Sequence, residues 1–201
     1  WSADPRNPRR AFDPFGSNSV CPDSSYEDPE WVHFDPDARA GSLTEHTVLS
    51  RHWGGTRSYK VYTPYGARAG KRYPALIVHD GDDFLHFGGM KTLLDNLIHR
   101  HEVAPLLVAF TSGVQRNWEY AANPKQADFL VHDLLADLHA NHPVLEGPEF
   151  HGLMGASFGG VSSLFTALRH PGTFGRLLLQ SGSFAFTDIG EHERGPLWDP
   201  I

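Results

Sequence analysis

The 201 residues are 40% hydrophobic and 12% aromatic, enough for one domain with a proper core. A formal net charge of -7, without any Lys/Arg cluster, argues against a nucleic acid or an anionic membrane surface as partner. No apolar stretch approaches the ~20 residues of a membrane span, and a single cysteine, Cys21, excludes an internal disulfide framework.

Residues 1–42 read as a Pro-rich linker or arm with little regular structure. Pro5, Pro8, Pro14, Pro22, Pro29 and Pro36 remove donors and fix φ, so neither a long helix nor a central strand fits there. Trp1, Phe12, Phe15 and Trp31 are the side chains that could pin such an arm to a surface. Regular patterning begins at Leu43. Residues 43–52 and 57–63 are β-rich runs separated by Gly54-Gly55, a hairpin signal. Residues 73–79 form an unbroken apolar strand. Residues 88–101 read as a helix with Met90, Leu93, Leu94, Leu97 and Ile98 on one side. Residues 105–110 are the next buried strand. A second helix over 124–140 carries Phe129, Leu130, Leu134, Leu135 and Leu138. Strand 150–154, helix 158–169 and strand 176–180 complete the order. An antiparallel pair followed by alternating β and α, with unbroken apolar strands, implies an α/β fold with a mostly parallel sheet covered by helices on both faces.

The sharpest local signal is Gly155-Ala156-Ser157-Phe158-Gly159, followed by Gly160. It lies between a strand and a helix, where a serine flanked by glycines forms the nucleophile elbow of α/β-hydrolases. The turn is too tight for bulky neighbours and lifts the Ser157 hydroxyl out of the backbone. The next N–H, on Phe158, points to the same spot from a helix N-terminus, where an oxyanion can be held. The competing reading is a glycine-rich turn with a passive serine.

Four stretches together resemble the esterase branch that contains enterochelin (ferric enterobactin) esterases, with esterase-D-like enzymes, feruloyl esterases and mycolyltransferases as relatives. They are YPALIVHDGDDF at 73–84, RNWEYAANPKQADFLVHDLL at 116–135, GLMGASFGGVSSLFTALRHPGTFG at 152–175 and LLLQSGSF at 177–184. The opening DPRNPRRAFDPFGSNSV at 4–20 is also similar to the linker before the hydrolase domain in the enterochelin branch. The resemblance implies an α/β-hydrolase domain over 43–201 and Ser157 as nucleophile of an acyl-enzyme mechanism. It implies oxyanion donors from Phe158 and Asp82, with Gly81 allowing close backbone approach. It also places Arg116 and Glu119 near the cleft, Arg116 orienting it or binding an anionic or catecholate substrate and Glu119 holding Arg116. The bland alternatives are an acidic turn or cation site at Asp80-Gly81-Asp82-Asp83, and a plain surface i,i+3 pair for Arg116 and Glu119.

The rest of a triad is harder to find. The order in this fold is Ser, then acid, then His, and only 44 residues follow Ser157. Asp188 and His192 come in the right order but sit in a polar tail, and a solvated tail is the competing reading. His170 reads as part of a structural His-Pro turn. The other histidines read as dispersed, so neither a metal nor a cofactor is expected. The hydrolase domain therefore reads as C-terminally incomplete, with the acid and His supplied by a further C-terminal segment or a second chain. The expected function is a serine esterase, with a siderophore ester of the enterochelin type in view. A feruloyl or short-chain acyl esterase, and a non-catalytic binding module of the same fold, are the alternatives. The expected partner is a small-molecule ester, with no nucleic acid and no membrane. A cytoplasmic location is expected, with export left open by an opening Trp1 in place of Met.

Overall fold

The computed structural model describes residues 4–184. They divide into two compact units, one made of residues up to Ala40 with Asp82–Ala104, the other of Gly41–Gly81 with the residues from Pro105 onward.

In the first unit the prolines leave room for two short strands, β1 (Arg10–Asp13) and β2 (Gly16–Ser19), paired antiparallel. The irregular arm expected from the sequence thus holds a small hairpin. Pro14 falls in its turn, where a missing donor does no harm, and Asp13 accepts from the Phe15 N–H at 2.8 Å. Phe12 and Phe15 are 69% and 94% exposed, so they do not act as the anchors expected of them. A single 3₁₀ turn spans Glu30–Val32. Helix α1 (Gly81–His86) starts at the unit boundary, and α2 (Met90–His99) follows. The Asn96 amide donates to the Trp31 and His33 carbonyls at 2.8 and 2.6 Å, and Arg100 pairs with Glu30 at 2.8 Å. These contacts tie the polar segment to α2.

The second unit is built on a six-stranded sheet. Its strands are β3 (Ser42–Leu49), β4 (Thr56–Thr63), β5 (Ala75–Val78), β6 (Leu107–Thr111), β7 (His151–Ala156) and β8 (Arg176–Gln180), in the order β3-β4-β6-β5-β7-β8. β3, β4 and β6 pair antiparallel, while β6, β5, β7 and β8 run parallel. This is the α/β-hydrolase arrangement. Ile77 and Leu153, in the central strands, are fully buried. By contrast, β8 is one of the two edge strands among the described residues, β3 being the other, and exposes Leu177 and Leu178 at 38% and 51%.

Three further helical segments belong to this unit. Helix α3 (Arg116–Tyr120) is short and has no apolar period to announce it. Helix α4 (Pro124–Asp128) opens on Asn123, whose side chain accepts from the Lys125 N–H, with Pro124 at the first helical position. It passes into a π-helical stretch over Phe129–Leu135 and then into α5 (Ala136–Asn141). The sequence reads this run as one ordinary helix. Leu130, Leu134 and Leu138 recur at a strict spacing of four, a pattern that drifts by ~40° per step around an α-helix. Widening the turn keeps all three against the sheet, at 1% exposure or less. Helix α6 (Phe158–Arg169) leaves the end of β7. No helix among the described residues is long and apolar enough to cross a membrane.

Candidate active site

The β7–α6 turn is built by glycine. A Cβ on Gly155 would collide with the carbonyl group of Gly159, and one on Gly160 would lie 3.2 Å from the Gly182 Cα. Backbone therefore packs on backbone on both sides of Ser157. Ser157 itself sits at φ 54°, ψ -117°, a conformation rare for any residue bearing a Cβ. Its N–H donates to the Gln180 carbonyl at 2.9 Å, and its own carbonyl accepts from Gly160 at 3.1 Å and Val161 at 3.3 Å. Pinned at both backbone atoms, the half-buried serine presents its hydroxyl 3.0 Å from the Ser183 Oγ. Phe158 is the first residue of α6, so its N–H has no intrahelical acceptor. Phe158 packs with Tyr120 and Val161 in a small apolar cluster under the turn.

A second strained residue stands beside this turn. Asp80, at the end of β5, has φ 53°. A Cβ on Gly159 would lie 3.1 Å from the His79 Cβ and 3.4 Å from the Asp80 Oδ2, so the N-terminus of α6 rests directly on His79-Asp80. Arg116 grips the Asp80 carboxylate in a two-pronged pair, Nε to Oδ1 and Nη2 to Oδ2, each 2.7 Å. The same guanidinium lies 5.6 Å over the Tyr120 ring, and the Tyr120 hydroxyl accepts from the Asp80 N–H at 3.4 Å. Burial, then the Asp80 charge, pushes the Tyr120 phenol well above its ordinary pKa, so it stays protonated. His79 is fully buried, and burial holds its pKa down to about 4. The imidazole is therefore neutral at pH 7. Its Nδ1 faces the Met154 carbonyl at 3.1 Å, its Nε2 has no hydrogen-bond partner among the described residues, and its ring meets Tyr120 edge-on at 4.8 Å.

The expected hold of Glu119 on Arg116 is replaced by a different pairing. Glu119 is 2% exposed and faces Arg57, whose Nη1 and Nη2 reach its two oxygens at 3.0 and 3.1 Å. The Gln115 N–H adds a third bond at 3.0 Å. A five-residue helix sends Arg116 and Glu119 to different partners, so the surface i,i+3 reading fails as well. Gly81 does allow a close approach, but to the sheet: a Cβ there would lie 2.5 Å from the Phe110 Cβ in β6. Asp82 falls in the first unit, in the first turn of α1. Among the described residues no histidine or carboxylate hydrogen-bonds the Ser157 hydroxyl. Asp188 and His192 lie outside the described residues. Three neighbours of the elbow, His79, Tyr120 and Ser183, went unremarked in the sequence, and Asp80 drew notice only as part of an acidic loop. A polar residue ending a buried strand before Gly81 was the one available clue.

Comparison with known proteins bears on the family and the fold. Residues 50–200 match the family described as "Putative esterase". The iron(III) enterobactin esterase of Escherichia coli O6:H1 is 28% identical over 149 residues, covering 73% of this chain and 37% of that protein. The uncharacterized protein YbbA of Bacillus subtilis is 27% identical over 161 residues, covering 71% of this chain and 63% of that protein. Among solved structures, ferric enterobactin esterase from Salmonella typhimurium superposes with a TM-score of 0.76 at 24% identity, over 90% of this chain and 47% of that one. A ferulic acid esterase from Anaeromyces mucronatus gives a TM-score of 0.62 at 18% identity, over 78% of this chain and 62% of that one. At these identities the structures speak for the fold. The chain spans well under half the length of the enterobactin esterase relative. With three quarters of its residues inside the family match, the chain belongs to the esterase family.

Proposed function

We propose that the protein is a serine esterase that cleaves carboxylic esters through an acyl-enzyme on Ser157. The observation that carries this reading is the backbone of Ser157, held at φ 54° between a buried strand and the N-terminus of α6. Such strain persists only where the surroundings over-determine it, and here it holds a hydroxyl-bearing residue at the N-terminus of a helix. In the reaction Ser157 Oγ attacks the ester carbonyl, the carbonyl oxygen takes the negative charge, and the alcohol leaves with a proton. The Phe158 N–H stabilises the oxyanion. The proton must pass to a base that completes the site from outside the described residues, since a serine hydroxyl stays protonated at neutral pH without one.

An enterochelin-type siderophore ester is the substrate class suggested by the relatives. One observation favours the second reading, a neutral feruloyl or short-chain ester. Both Asp80 oxygens neutralise Arg116, and the chain carries a net charge of -7. An anionic siderophore would meet little net attraction there. The test is hydrolysis of p-nitrophenyl esters and labelling by a fluorophosphonate probe, with Ser157→Ala as comparison. Turnover and labelling should fall to background in the variant, a loss of 10³-fold or more where the base is present. A folded protein, complete with its base, that neither labels nor turns over would favour the binding-module alternative.

A further inference from the structure

Helix α6 ends against a second cluster that the proposed ester chemistry does not use. Asp128 closes α4, His132 stands four residues on in the π-helical stretch, and His170 follows the last residue of α6. Each offers one ligand atom, and these atoms lie within 4.8 Å of one another. His170 Nε2 is 2.8 Å from Asp128 Oδ1, and the His132 and His170 rings meet edge to face at 5.1 Å. Arg169 holds the same carboxylate, Nε to Oδ1 at 2.8 Å and Nη2 to Oδ2 at 3.1 Å.

We propose that Asp128, His132 and His170 form a binding site for one divalent transition-metal ion of the zinc class. Two imidazoles and a carboxylate suit zinc, nickel or copper, whereas magnesium and calcium prefer oxygen donors throughout. Ligand atoms about 2.0–2.2 Å from a tetrahedral ion are roughly 3.3–3.6 Å apart, so the widest gap in the cluster must close by up to about 1.5 Å while the 2.8 Å pair of His170 and Asp128 opens slightly. His132 is exposed and can swing inward without disturbing the core. His170 Nε2, which donates its proton to Asp128 in the metal-free protein, gives up that proton so that its lone pair can face the ion, and the neutral ring then carries its proton on Nδ1. Arg169 remains the outer partner that orients the carboxylate. The site faces solvent, so water completes the coordination. Over the 12 residues of α6 the cluster lies ~18 Å from the elbow. The ion therefore clamps the end of α4 to the end of α6 and takes no part at Ser157. Another close histidine pair, His139 and His151 at 3.1 Å, does not offer the same site. His151 is buried, and its two nitrogens face the Thr173 and Leu145 carbonyls at 3.0 and 2.9 Å.

The test is calorimetric titration of the chain with zinc chloride, with the melting temperature read in parallel. One zinc per chain and a raised Tm are expected, with no response to magnesium chloride. His132→Ala and His170→Ala should each weaken binding at least about tenfold, while His139→Ala should not. His132 is exposed, so its variant keeps the fold, which circular dichroism verifies. No zinc-dependent heat or Tm rise, or zinc binding undiminished in His132→Ala, would overturn the proposal. The readout involves no esterase activity, so it stands or falls apart from the reading of Ser157.

Discussion

The two ends of α6 are held by opposite means. At the start, backbone lies on backbone: Gly155 against Gly159, Gly160 against Gly182, with buried His79 beneath Gly159. At the finish, side-chain pairs make the contact with α4. Arg169 and His170 reach across to Asp128, and the Arg169 side chain is 40% exposed. A close-packed backbone contact tolerates no added atom, because neither partner has a torsion to spare. A solvated ion pair tolerates much, because water and salt replace what is lost. Rigidity is thus concentrated where a serine must be aimed. The far end is left adaptable, which is what a metal clamp would need.

The largest expected effect comes from breaking the rigid end. Gly155→Ala puts a methyl inside the Gly159 carbonyl group. Either strand β7 or the first turn of α6 must shift, at a cost of about 3 kcal/mol or more. Denaturant melts should show that loss, and fluorophosphonate labelling of Ser157 should fall with it. Unchanged stability together with full labelling would mean that the turn is looser than its geometry implies.

A milder probe of the same end is pH. His79 is buried neutral, with its pKa lowered to about 4 against an ordinary 6.5. Between those values the unfolded chain binds a proton that the folded chain does not, so this group makes stability fall as pH drops through that window. The expected loss from His79 between pH 7 and pH 5 is about 2 kcal/mol. In His79→Gln that component of the pH dependence should vanish, which paired urea melts at the two pH values would read. An equal slope in both proteins would assign the effect to other groups.

Much of this contrast was legible in the residues. Phe158 to Arg169 reads as a helix from its apolar spacing, and the glycines around Ser157 declare a turn that only small residues survive. The order of apolar runs likewise foretells the four parallel strands. What stayed hidden are the polar pairings. Asp80 meets Arg116 across 36 positions, Glu119 meets Arg57 across 62, and Asp128 meets His170 across 42. Periodicity reports which face of an element is buried. It carries no information on which distant charge a carboxylate will find, so Glu119 looked like a partner for its helical neighbour Arg116. The π-helical stretch was missed for a related reason. A four-residue leucine spacing fits an ordinary helix well enough in sequence, and only packing all three leucines into one core asks for the wider turn.

The smallest effect should come from the other end of α6. Arg169→Ala removes a two-pronged pair with Asp128, yet a partly exposed pair of this kind is worth about 0–1 kcal/mol. Asp128 keeps its hydrogen bond to His170 Nε2, so no carboxylate is left stranded. Arg169 is the main reason, and His170 the next after the opposing effect of burial, that the Asp128 carboxyl is held down to about 2. A lowered carboxylate pKa supports the fold above its ordinary value and loses that support as pH falls through the lowered one. The difference between variant and parent should therefore shrink as pH falls towards 2 and below, where Asp128 takes up its proton in the parent as well, and be slightly larger at pH 7. Added salt should shrink even the difference at pH 7, because exposed charges are screened. A loss at pH 7 as large as that of Gly155→Ala would show that the C-terminal end of α6 is as tightly held as the elbow, and the contrast between the two ends would not stand.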